Sequence, residues 1–128
     1  MGAKLRSDAK NHEVPGLGIA PDGDVVVAGD FVDTIRIDGT DLKVAGLAAN
    51  TDIFALKLAG ATGATRWMKA LGGPGLGTSG NEALAGGMVD SVGHTHLIGS
   101  TDSPTLDVGT GPLSNPAQFS MLLIDLAP

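Results

Sequence analysis

The chain has 128 residues, enough for one domain with its own core, and carries a formal net charge of −6. That balance argues against nucleic acid as a partner, because phosphates need clustered Lys and Arg. The absence of cysteine rules out disulfides and thiolate metal sites, and no run of about 18 apolar residues offers a membrane-spanning helix.

With 20 Gly and 7 Pro, the composition favours short strands and many turns over long helices. Aromatic residues are confined to Phe31, Phe54, Trp67 and Phe119, so the core must be built from Val, Ile, Leu and Ala. Charge is unevenly placed. The first twelve residues carry Lys4, Arg6 and Lys10 against Asp8, whereas no Lys or Arg follows Lys69. A basic start and an acidic end attract each other, within a chain or between copies.

In chain order, "AKLRSDA" (3–9) alternates basic and apolar residues at strand length, and "GLGIA" (16–20) is a second strand candidate. "DVVVAG" (24–29) is nearly continuously apolar, as in a strand covered on both faces, whereas "TIRI" (34–37) alternates like a half-exposed one. Further strands are expected at "DIFALKL" (52–58), "TRWMKAL" (65–71), "EALAGGMV" (82–89), "THLIGS" (95–100) and "FSMLLIDL" (119–126). Hairpin turns fit "PDGD" (21–24), "GATG" (60–63) and "DSVG" (90–93) between them.

The two halves repeat. "IAPDGDVVVAGDF" (19–31) aligns with "MVDSVGHTHLIGST" (88–101), placing Gly23 on Gly93 and Gly29 on Gly99, a spacing of 70. "DIFALKLAG" (52–60) aligns with "QFSMLLIDLAP" (118–128) at a spacing near 66. A repeat of this length predicts blades or solenoid units. Taking four strands per unit, the second unit stops before its fourth strand, and the opening stretch is of the right kind to supply it. The expected organisation is therefore an N-terminal closing or exchange strand (1–12), a first blade-like repeat (13–73) and a second (74–128) without its own outer strand.

These motifs resemble the bacterial SBBP-type β-propeller repeats. The likeness rests on "PDGDVVVAGDF", "TDIFALKL", the turn "TG" and "TRWMKALGG" in the first unit. The second unit keeps "DSVGHTHLIGS" but replaces the Asp-and-Lys strand with "FSMLLIDL". The resemblance implies an all-β fold of two four-stranded propeller blades, cut one strand out of phase, in an extracellular or cell-surface protein. Two blades cannot close a ring, so the expected partners are further copies or the neighbouring blades of a longer chain. Three or four copies would close a ring of six or eight blades, and a contact that fails to close would give a filament.

The expected interface residues are Leu5 and Arg6 in the opening strand, with Trp67, Phe119, Leu122 and Ile124. "GLGTSG" (75–80) matches a dinucleotide-binding pattern literally, but the run after it reads as a strand rather than a helix N-terminus, which leaves an interblade loop. Metal candidates are the turn carboxylates Asp22 and Asp24, for a structural calcium, and the H-x-H pair His94 and His96. No cofactor is otherwise implied. The chain has no Cys nucleophile, no Ser-His-Asp order with a supporting turn and no recognisable acid–base carboxylate pair, so it is expected not to be an enzyme. Two functions remain: a self-assembling scaffold for protein interaction joined by N-terminal strand exchange, or a propeller module that binds a glycan or Ca²⁺.

Overall fold

The computed structural model describes residues 13–74, 80–117 and 119–128. They form eleven strands and, among the described residues, no helix: β1 (Glu13–Ile19), β2 (Val25–Val32), β3 (Thr34–Ile37), β4 (Thr40–Lys43), β5 (Thr51–Leu58), β6 (Thr65–Leu71), β7 (Glu82–Val89), β8 (Thr95–Thr101), β9 (Thr105–Asp107), β10 (Pro112–Ser114) and β11 (Ser120–Leu126). The fold is all-β. Seven strands make one sheet in the order β11-β8-β7-β1-β2-β5-β6, curled into a half-barrel, with β3-β4 and β9-β10 as separate hairpins.

Each half is an antiparallel meander. β1, β2, β5 and β6 form the first; β7, β8 and β11 form the second. Tight turns hold the first pair of strands in each half. Gly23 and Gly93 take positive φ of 83° and 95°. Asp22 accepts from the Asp24 amide at 3.0 Å, and Asp90 accepts from the Val92 amide at 2.9 Å. The halves meet where β1 and β7 run parallel, with Gly16 opposite Gly87. Side chains would keep them apart: a Cβ on Gly18 would lie 2.6 Å from the Val89 side chain.

The register relates the halves residue by residue. Gly29 lies opposite Phe54, and Gly99 opposite Leu122. Ile53 therefore corresponds to Met121, Ala55 to Leu123 and Lys57 to Asp125, an offset of 68 rather than the 66 expected from sequence. Only pairing could fix this offset, because "ALKL" and "LIDL" are both too apolar to prefer one alignment.

The core has two parts. One cluster joins the halves, with Ala28, Ile53, Ala55 and Leu71 packing against Leu84, Leu97, Ile124 and Leu126. The other lies on the opposite face of the first half, where Ile35 and Ile37 of β3 cover Phe31, Phe54 and Leu56. The rings of Phe31 and Phe54 meet edge to face, 6.3 Å apart. The expected strands at 24–29, 34–37, 52–58, 65–71, 82–89, 95–100 and 119–126 are present, with Phe119 one residue outside β11. β1 is longer than "GLGIA" and begins at Glu13. The expected strand at 3–9, with Leu5 and Arg6, and most of "GLGTSG" lie outside the described residues.

Gly72 and Gly73 close the first half against the hairpin of the second. A Cβ on Gly73 would sit 1.7 Å from the Thr105 carbonyl oxygen, and one on Gly72 would strike the Asp52 carboxyl at 2.2 Å. Backbone cannot yield as a side-chain tip can. Gly73→Ala is therefore expected to cost about 2 kcal/mol or more in urea unfolding. Gly86→Ala, where a Cβ meets nothing within 4 Å, should stay within about 0.5 kcal/mol of the parent.

Candidate functional site

The joint between the halves and the outer face of the second half hold the groups that could do chemistry. At the joint, Asp52 of β5 and Glu82 of β7 are both buried. Glu82 is anchored on both oxygens. Thr101 donates to Oε1 at 2.7 Å, Ser103 also donates to Oε1, and the Gly73 amide donates to Oε2 at 3.3 Å. Asp52 Oδ2 accepts from the Ala45 amide at 2.8 Å, while its Oδ1 has no conventional donor. Glu82 lies close enough to Asp52 for its charge to disfavour ionisation of Asp52. Burial, with the neighbouring Glu82, pushes Asp52 up to about 7, and burial also raises Glu82. The chain thus holds a carboxyl pair that no local spacing reveals, since its members sit 30 positions apart on different halves. By accepting from the Ala45 and Gly73 amides and from the Thr101 and Ser103 hydroxyls, the two carboxyls act as a clamp on the surrounding loops. Asp30 adds a second tie across the joint, accepting from the Leu84 amide at 2.6 Å.

The metal candidates are brought together in pairs. Asp22 and Asp24 converge on Lys57, whose ammonium lies 3.1 Å and 3.9 Å from them, and Arg66 reaches Asp24 at 3.3 Å. Asp24 also accepts from the Gly60 amide at 3.1 Å. The Asp24 amide, followed by Lys57, holds the Asp22 carboxyl below its ordinary range. Two cations occupy the charge that a calcium ion would need. In the second half, the rings of His94 and His96 stack 6.2 Å apart, and each has its own carboxylate. His94 Nδ1 lies 2.9 Å from Asp125, and His96 Nε2 lies 3.1 Å from Asp90. His96 and three backbone amides draw Asp90 down to about 2, while Asp125 raises His94. No group of three or more metal-ligating side chains occurs among the described residues.

Of the expected interface residues, Ile124 belongs to the cluster at the joint, and Leu122 and Trp67 pack against it half-buried. Phe119 is exposed. What the sequence did not single out is the outer face of the second half. There Met88, Ile98 and Leu123 stand exposed around a shallow groove of about 240 Å³, and Met121 is exposed on the same strand as Leu123. Their alternation with Leu97, Leu122 and Ile124 was the available signal: both faces of these strands are apolar. No protein-family model, no curated protein and no solved structure matches this chain. The structure itself defines the class, an all-β chain of two antiparallel meanders sharing one curled sheet.

The clamp carries a pH signature. The folded chain keeps a proton on Asp52 up to about pH 7, whereas the unfolded chain releases it near 3.8. Stability contributed by this group is therefore greatest in acid and falls as pH rises through that window. Asp52→Asn, which keeps an acceptor for the Ala45 amide and cannot ionise, should flatten the fall in Tm between about pH 5 and pH 8. At pH 8 it should lie above the parent by about 3–5 °C per kcal/mol recovered. An unchanged slope in thermal melts would show that the pair carries no such proton.

Proposed function

We propose that the chain is a non-catalytic repeat module of β-propeller type, two blades cut one strand out of phase, that serves as a self-assembling scaffold for protein interaction. The observation that carries this reading is the stacking of one repeat on the other. An apolar face of the first half is buried by the second, while the corresponding face of the second remains open. β11 also ends the sheet as an edge strand, where a fourth strand of the second repeat would pair. In this reading residues 1–12 supply that strand to a neighbouring copy, and the basic opening segment suits the acidic second half. The resemblance to SBBP-type repeats adds an extracellular or cell-surface setting. A glycan- or calcium-binding module is the alternative, and the engagement of Asp22 and Asp24 by Lys57 and Arg66 weighs against its calcium form.

Light scattering after size-exclusion chromatography tests the proposal. The full chain should run at three or four times its 12.8 kDa, or as a larger filament, and removal of residues 1–10 should lower that mass. A full chain that stays at its single-copy mass at every concentration would overturn the reading.

A further inference from the structure

The two halves are joined by a contact that uses one face of each repeat, and each repeat also possesses the other half of that contact. In the joint, Val89, Thr95 and Leu97 of the second repeat fill a groove over Gly16, Gly18, Val26 and Ala28 of the first, leaving only about 10 Å³. The register carries this groove onto Gly86, Met88, His96 and Ile98 of the second repeat, where about 240 Å³ stands open. The rim behaves likewise. Ile53 and Ala55 are both 0% exposed, whereas their counterparts Met121 and Leu123 are 78% and 77% exposed.

The filling side is duplicated as well. Ile19, Val25 and Val27 are the first-repeat counterparts of Val89, Thr95 and Leu97, and they are cross-strand neighbours on β1 and β2. Ile19 is 72% exposed and Leu17 beside it 68%. The chain therefore carries an unfilled groove on one flank and exposed Leu17 and Ile19 on the other, beside Val25 and Val27, which are half-buried, Val27 against the Phe31 cluster. Apolar surface of this kind, left open on both flanks, is the mark of an interaction site.

We infer that the open groove of the second repeat receives the β1-β2 face of a second copy of this chain, in a head-to-tail contact that repeats the internal joint. This rests on the self-assembly reading but assigns the contact to a face rather than to strand exchange. The contact is heterologous: Ile19 and Leu17 of one copy meet Ile98 and Leu123 of the next. Copies then add in one direction, closing into a ring or continuing as a filament.

The experiment uses the full chain with Leu123→Asp, which spoils the groove, and Ile19→Asp, which spoils the filling surface. Leu113→Asp, on the exposed β10, is the control. Masses are read by light scattering and by sedimentation velocity, with circular dichroism to confirm folding. The inference expects each of the two variants alone to fall to the single-copy mass, with the control assembling like the parent. Mixed in equal amounts, the two variants should form a pair of twice that mass, because each retains the surface the other has lost. Formation of that pair also shows that both variants are folded. If Leu123→Asp dissociates while Ile19→Asp still assembles, groove meets groove and the head-to-tail contact is wrong. If the parent assembles and neither variant alters it, this inference fails while self-assembly stands. A single-copy parent overturns both.

Discussion

The architecture depends on one close approach, that of β1 to β7. Parallel neighbours at the centre of an otherwise antiparallel sheet are possible here because Gly16, Gly18 and Gly87 present no side chains at the crossing. The approach turns the two meanders toward each other, so that Leu97 and Ile124 can reach Ala28 and Ala55. A small-residue core follows. With the two meanders this close along β1 and β7, Ala28 and Ala55 of the first half leave room for Leu97 and Ile124 of the second.

Burying an apolar seam leaves polar groups at its ends, and the chain settles them in two ways. At one end Asp52 and Glu82 are taken out of water together, and burial raises both, so that a carboxyl rather than a second carboxylate is favoured beside Glu82. At the other end Lys57 is nearly buried and pairs with Asp22 and Asp24. Both arrangements tie loops to strands: Ala45, Gly73 and Gly60 each give an amide to one of these carboxylates. Loops that would otherwise hang from the sheet are thereby fixed relative to the joint.

The strands of the meander were legible because their apolar runs are continuous and punctuated by Asp and Gly. The small hairpins were harder to see. β4, β9 and β10 are "TDLK", "TLD" and "PLS", too short and polar to show a period. Yet Asp38-Gly39, with positive φ at both residues, is the dipeptide that marks a tight hairpin between β3 and β4. The "GG" closing the first repeat was read as part of a motif. Its cause, contact with Thr105 and Asp52, depends on residues far along the chain. The carboxyl pair and the open groove were invisible for the same reason: each is a product of stacking one repeat on another. The metal candidates were legible as clusters, but sequence could not show that Lys57 and Arg66 would reach Asp22 and Asp24 from strands more than thirty residues away.

One reversal sets the halves apart. Asp24 faces Lys57 in the first, and at the corresponding positions of the second His94 faces Asp125. Repeats joined in tandem are exposed to a folding error in which a strand of one inserts beside its counterpart's neighbour in the other. Here β5 placed against β8 would set Lys57 against His94, and β11 placed against β2 would set Asp125 against Asp24. The reversed polarity thus favours the native pairing over the exchange that a shared hydrophobic pattern would permit.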